Sequence, residues 1–360
     1  MTLAGAADWV WHAQGASAAI ARAALSPLSA VFGVVVASRN RRFDKGDGVL
    51  PVALPALSIG NLTVGGTGKT PLAAWCVTQL RERAARPALV LRGYGDDEWR
   101  VHGLLNPGVN VIADADRVRG IATAARDGAD CVVLDDAFQH RRAHRVADIA
   151  LISADAWTGA VQLLPGGSWR EPLTSLRRAS AVVITIKGTR GESQLQSVRD
   201  AIRSAAPDTP LSVVSIAAGG LREVPSGEPL SGLGGPEQAL GHLNGQAVTL
   251  ISAIAAPAAF EATIAAKGAH VVARRYPDHH AFTPQDIEDI LRDAAPSQRF
   301  LCTLKDAVKL APLWPRAAPP LWYVSQTIEV RLGLDVLHGA LERVLAARLL
   351  PRAASRPNAG

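Results

Sequence analysis

Six consecutive residues, Gly65, Gly66, Thr67, Gly68, Lys69 and Thr70, have the types and order needed to hold the phosphates of a nucleotide. The glycines let successive backbone N–H groups turn inward around phosphate oxygens. Lys69 is placed to reach the β- and γ-phosphates, and the Thr70 hydroxyl to ligate Mg²⁺. An apolar run at 52–59 precedes the loop and a helical pattern at 71–84 follows it. That is the strand–loop–helix setting a P-loop requires. Pro71 suits the first turn of the helix, where a missing N–H costs little. The usual first glycine of the motif falls at Thr63, so the pattern is a variant.

A second apolar run, 131–134, ends in Asp135 and Asp136. Adjacent carboxylates at a strand end repel one another unless a cation lies close by. Together with Thr70 they form the expected metal-binding element of an enzyme that uses ATP and Mg²⁺.

These groups need a scaffold. Short continuous runs of Val, Ile, Leu and Ala at 52–59, 88–91, 109–112, 131–134, 149–152 and 181–186 alternate with helical patterns such as 71–84 and 116–127. Such runs predict parallel strands buried on both faces. The fold class expected is α/β: a P-loop NTPase with a doubly wound, mostly parallel sheet and a second, smaller α/β domain. The boundaries expected are an N-terminal apolar segment over 1–45, a kinase core over 46–220 and a Gly/Pro/Ser-rich linker over 221–245. A C-terminal domain over 246–350 and a disordered tail over 351–360 complete the chain.

Several segments in order resemble the tetraacyldisaccharide 4′-kinase family. They are the loop from Gly60 to Pro71, the turn Arg92-Gly93-Tyr94-Gly95, and the run from Leu134 to Arg141. After them come the run from Leu164 to Pro172, then Pro277-Asp278-His279-His280, and the run from Thr303 to Lys309. The resemblance spans nearly the whole chain. It implies transfer of the ATP γ-phosphate to the 4′-hydroxyl of a lipid A disaccharide 1-phosphate precursor. It also implies a general base, since a sugar hydroxyl is a weak nucleophile. The family's Gly-Asp-Glu-Pro motif aligns, by its Asp-Glu, on Asp97-Glu98, with Trp99 in place of proline and Asp96 just before. Asp97 is therefore the expected base, His279 its partner from the second domain, and Asp278 the group orienting His279. Glu171 matches a family acid near the metal. Arg170, Gln139, His140 and Arg141 are the expected substrate contacts. The family's glycine-rich opening of the second domain reads as Ser252 to Pro257 here, and Leu304 stands where an acid is usual.

The bulk numbers agree with an anionic partner. The 360 residues carry 38 Lys and Arg against 32 Asp and Glu, a net charge of +6. Nucleic acid is not expected, because the arginines do not alternate with aromatics. The three cysteines show no CxxC spacing, which argues against a zinc site or disulfide framework and fits a reducing compartment. Residues 16–37 are mostly apolar but interrupted by Arg22, Ser26, Pro27 and Ser29, and Arg39, Arg41 and Arg42 follow. An interfacial helix or hairpin, with arginines at lipid phosphates, and a helix buried on the core are both open. The resemblance implies a monomer on the cytoplasmic face of the inner membrane, peripheral or monotopic. The alternative function is a membrane-associated P-loop ATPase switch of the partitioning or targeting class. Many of those carry a lysine just before the paired glycines, where this chain has Val64.

Overall fold

The computed structural model describes residues 3–93, 97–230, 232–255, 257–292 and 298–349. The tail expected over 351–360 and the residue Asp96 lie outside them. Strand β1 (Ala56–Asn61) is buried at every position. It pairs in parallel with β4 (Cys131–Asp135) on one side and β5 (Ala147–Ser153) on the other. Beyond β4 lie β2 (Pro87–Leu91) and β3 (Val111–Ala113). Beyond β5 lie β6 (Ala181–Ile186) and β7 (Leu211–Val224). The chain winds both ways from β1, and α/β sheets place ligands at the C-terminal strand ends of such a point.

Alternate strand residues face opposite layers. Leu57, Ile59, Leu89 and Val133 pack on α3 (Lys69–Glu82). Their neighbours Ala56, Ala88, Val90 and Val132 pack on α5 (Arg117–Arg126). This period of two explains why both faces of each strand read as apolar. Asp116 caps α5, its side chain accepting the Val118 and Arg119 N–H groups. The helix α6 (Thr189–Ala205), which buries Val198 and Ile202 against β6, lies where the sequence pattern showed no element.

Two expectations about the second half are corrected. The segment 221–245 does not begin as a linker. Its first residues complete β7, a 14-residue strand whose far end pairs antiparallel with β12 (Leu321–Leu332). The glycines and alanines at 217–220 mask this strand in the sequence. The sheet therefore continues across the boundary, through β12 to β11 (Arg299–Thr303), β9 (Ala247–Ser252) and β10 (His270–Arg275). The closing helix α10 (Leu334–Leu349) also leaves the second half. Leu337, Leu341 and Val344 are buried with Leu57, Val77 and Leu80 of the first core. A helix with an apolar stripe is placed by the face that can accept it, which chain order does not reveal.

At the N-terminus, α1 (Leu3–His12) precedes α2 (Ala16–Asp44), a single helix of 29 residues that runs through Pro27. Only 11% of its most apolar window is buried, so the core-helix alternative fails. Ile20, Val31, Val34 and Val35 are each at least 60% exposed. The same window is long and apolar enough to cross a membrane, with a mean hydropathy of 1.8. Ser29, whose hydroxyl donates to the Leu163 carbonyl and accepts the Gly166 N–H, docks this helix on the core.

Candidate active site

The loop after β1 closes on the N-terminus of α3. Gly68 sits at the N-cap with φ +89°. The positive φ demands glycine, and a Cβ there would also force the end of the Ile216 side chain to shift. Lys69 Nζ lies 3.3 Å from Asn61 Oδ1 and 3.6 Å from Asp136 Oδ1. The loop carrying Arg170 is pinned alongside. Val64 N–H donates to the Ser168 carbonyl at 2.8 Å, and Arg170 N–H to the Leu62 carbonyl at 2.7 Å. Arg170 then points at Asp136, 3.5 Å away. Gln139 joins the cluster through its amide, which donates to the Asn61 carbonyl at 2.7 Å.

Asp135 and Asp136 end β4 with different surroundings. Asp136 has φ +48° and a side chain 41% exposed, a strained conformation of the kind found at functional sites. Asp135 is buried, which pushes its carboxyl up. The hydrogen bond from His102 and the nearby Lys69 and Asp136 N–H outweigh this and hold it below the usual carboxylate range. Ionised Asp135, exposed Asp136 and the hydroxyl of Thr70 are hard oxygen donors. Mg²⁺ takes one or two carboxylates together with phosphate oxygens and water, so this set fits it.

Asp97 and His279 meet between the two halves of the sheet. Asp97 is 4% exposed and precedes α4 (Glu98–Leu105) at its N-cap position, its side chain making no capping hydrogen bond. Its Oδ2 lies 3.3 Å from His279 Nδ1 and 3.9 Å from Lys309 Nζ. The approach is held by α4 packing on α9 (Leu304–Leu310), where Val101 and Leu104 bury Val308. His279 adopts φ +59° and donates its backbone N–H to the Ala253 carbonyl. Asp278 does not orient it as expected. It is half exposed and 4.0 Å from His279 Nε2, beyond a hydrogen bond. Beside the base, burial raises the Glu98 carboxyl, with Lys305 opposing.

Glu171 is not free for a metal. It is fully buried, and Arg178 grips both its oxygens at 2.8 and 2.9 Å. Asn40 of α2 donates to it at 2.7 Å. Its role here is to fasten the N-terminal helix to the core. Arg141 is spent the same way, on the Asn40 carbonyl at 3.0 Å and Asp44 at 2.7 Å. His140 is half-buried with no partner on Nε2. Burial, then Arg117 and Arg145, lower its pKa and so favour the neutral ring.

This arrangement has counterparts among known proteins. A family profile described as tetraacyldisaccharide-1-P 4′-kinase matches residues 21–346. The chain belongs to the tetraacyldisaccharide 4′-kinase family. A protein of that name from Anaeromyxobacter sp. (strain K) is 36% identical over 97% of this chain and 98% of its own length. Another from Halorhodospira halophila is 33% identical over 90% and 94%. The fold is shared with an "apo" form of LpxK from Aquifex aeolicus in complex with ATP, at a TM-score of 0.69 and 24% identity. That match covers 90% of this chain and 99% of the other.

Three residues of this tetraacyldisaccharide 4′-kinase family member escaped the sequence reading. His102, fully buried, places Nε2 2.8 Å from Asp135 Oδ2. Its Nδ1 has no partner, so the Nε2 proton serves the carboxylate. The signal was a histidine one helical turn beyond Glu98, visible only once 98–105 is read as a helix. Arg117, 2% exposed, donates to the Asp114 and Asp135 carbonyls and braces the end of β4. Lys187 reaches the phosphate loop from the end of β6. Neither has a local sequence signature.

Proposed function

We propose that this chain transfers the γ-phosphate of ATP to the 4′-hydroxyl of a tetraacyldisaccharide 1-phosphate, a step of lipid A biosynthesis. The family match over 21–346 supports the activity. The contact of Asp97 with His279 is the observation that carries the mechanism. The amides of 65–70 cradle the phosphates, and Lys69 and Arg170 offset charge on the transferring group. Asp97 accepts the proton of the sugar hydroxyl, and His279 holds the carboxylate and shares the developing charge. Thr70, Asp135 and Asp136 hold Mg²⁺, which neutralises charge on the phosphate oxygens when bound. Approach of α4 and α9 excludes water, which disfavours simple ATP hydrolysis.

The exposed apolar face of α2, followed by Arg39, Arg41 and Arg42, supports a protein seated on a lipid surface; the reading proposed is a monomer on the cytoplasmic face of the inner membrane. Such seating would bring the phosphate site near a lipid acceptor. An ATPase switch is disfavoured by Val64 and by a base aimed at an acceptor. The test is transfer of labelled phosphate from ATP to the disaccharide 1-phosphate in detergent micelles. Release of label only as inorganic phosphate would sink the reading.

A further inference from the structure

Two side chains at the end of β6 reach into the phosphate loop. Thr185 Oγ1 donates to the Thr67 carbonyl at 2.8 Å, and Lys187 Nζ donates to the Gly66 carbonyl at 2.6 Å. Lys187 is fixed at its other end too. Its backbone N–H donates to Asp155 Oδ2 at 2.7 Å, and Asp155 Oδ1 accepts the Gly191 N–H at 3.1 Å. The residue keeps an open face to solvent although protein atoms crowd round it. That crowding holds its ammonium below the ordinary lysine value, with Asp155 opposing.

An amine already committed to a protein carbonyl is poorly placed to grip a phosphate. What stays available is the four-carbon stem, stretched between the strand end and the loop. Long cationic side chains commonly cover apolar surface in this way.

The sheet order decides what meets that stem. Asp135 and Asp136 end β4, on one side of β1. They mark where the terminal phosphate lies, since Lys69 and Arg170 converge on Asp136 there. Lys187 follows β6, which lies past β5 on the opposite side of β1. A triphosphate wrapped in 65–70 with its γ end toward β4 carries its nucleoside toward β5 and β6.

We propose that Lys187 is a wall of the nucleotide-base subsite: its methylenes pack on the face of the purine while its amine braces the phosphate loop. Asp155 serves as the anchor that sets the direction of the stem. The proposal rests on the kinase reading, because it presupposes ATP in the loop.

The two roles separate by substitution. Lys187→Met keeps the stem and loses the amine, whereas Lys187→Ala loses both. Calorimetric binding of ATP and of inorganic tripolyphosphate, each with Mg²⁺, gives an affinity ratio that isolates the nucleoside's share. Loss of the brace lowers both affinities alike and leaves the ratio unchanged. Lys187→Met is expected to keep the wild-type ratio, and Lys187→Ala to lower it about tenfold, or ~1.4 kcal/mol. A wild-type ratio in the Ala variant would overturn the stacking role and leave Lys187 as a brace alone. An equal fall of the ratio in both variants would overturn it as well, since the stem is then not the contact. If the wild-type protein binds neither ligand, the kinase reading itself fails, and this proposal with it.

Discussion

Asp97 Oδ2 and His279 Nδ1 lie 3.3 Å apart although one residue belongs to the first half of the sheet and the other to the second. The contact accompanies the packing of α4 on α9, where Val101 and Leu104 meet Val308. On the proposed function, proton acceptance by Asp97 would depend on this packing of α4 on α9, which brings His279 to the carboxylate. Substituting Asp97 by Ala is expected to lower kcat by about 10²–10⁴, the usual worth of a general base, with ATP affinity little changed. His279→Ala lowers kcat as well, and the double variant falls less than the product of the two, because the pair acts as a unit. Asp96→Ala is the control. Were it inactive and Asp97→Ala active, the alignment at this junction would be off by one residue.

His102 donates to a carboxylate expected to hold Mg²⁺. Groups in that position orient the ligand, and their loss typically costs about 10–100-fold in metal affinity. His102→Leu is expected to raise the Mg²⁺ concentration needed for half-maximal ATP binding on that scale. His102→Gln, which retains a donor, restores part of it. An unaltered Mg²⁺ titration in a folded Leu variant would remove His102 from the site.

Glu171 gives a pH-dependent contribution to stability. Burial raises its carboxyl, but Arg178 and then Asn40 pull it below the ordinary 4.5. A depressed carboxyl stabilises fully above its unfolded value and loses that contribution as pH falls through the folded value. Glu171→Gln leaves Arg178 buried without a counter-charge and is expected to cost about 3–5 kcal/mol at neutral pH. Urea midpoints measured at pH 7 and in steps below 4.5 should show the gap to wild type closing in acid. A gap of constant size would mean that charge is not the reason.

Val31 and Val34 stand 61% and 66% exposed on α2. Changing both to Glu is expected to abolish co-sedimentation with anionic vesicles, while ATP binding persists because the loop at 65–70 is untouched. Vesicle binding equal to wild type would show that this face does not meet lipid.

Much of the site was legible because its parts are contiguous. The strand, the loop at 65–70 and the helix behind it form one local unit, and Asp135 and Asp136 simply end a run of buried apolar residues. Their geometry follows from short-range backbone rules, and those residues carry it in their order. Asp97 and His279 were paired through family likeness, and the α4–α9 packing supplies the physical means.

Other assignments depended on which distant group each side chain met. Glu171 reads as a free acid until Arg178 and Asn40 claim it. Arg141 reads as a substrate contact until α2 passes close enough to take its hydrogen bonds. His102 and Lys187 stand in stretches with no motif, and only the packing of α4 beside β3 and α9, which brings His102 to the end of β4, and the adjacency of β6 to the phosphate loop give them partners. The same holds for α10, whose apolar stripe fits several faces in principle and is placed on the first core by a continuous sheet that the local pattern had divided in two. Residue order determined the loop chemistry and the strand types. Long-range packing decided which charges were spent on holding the fold and which remained to act on a ligand.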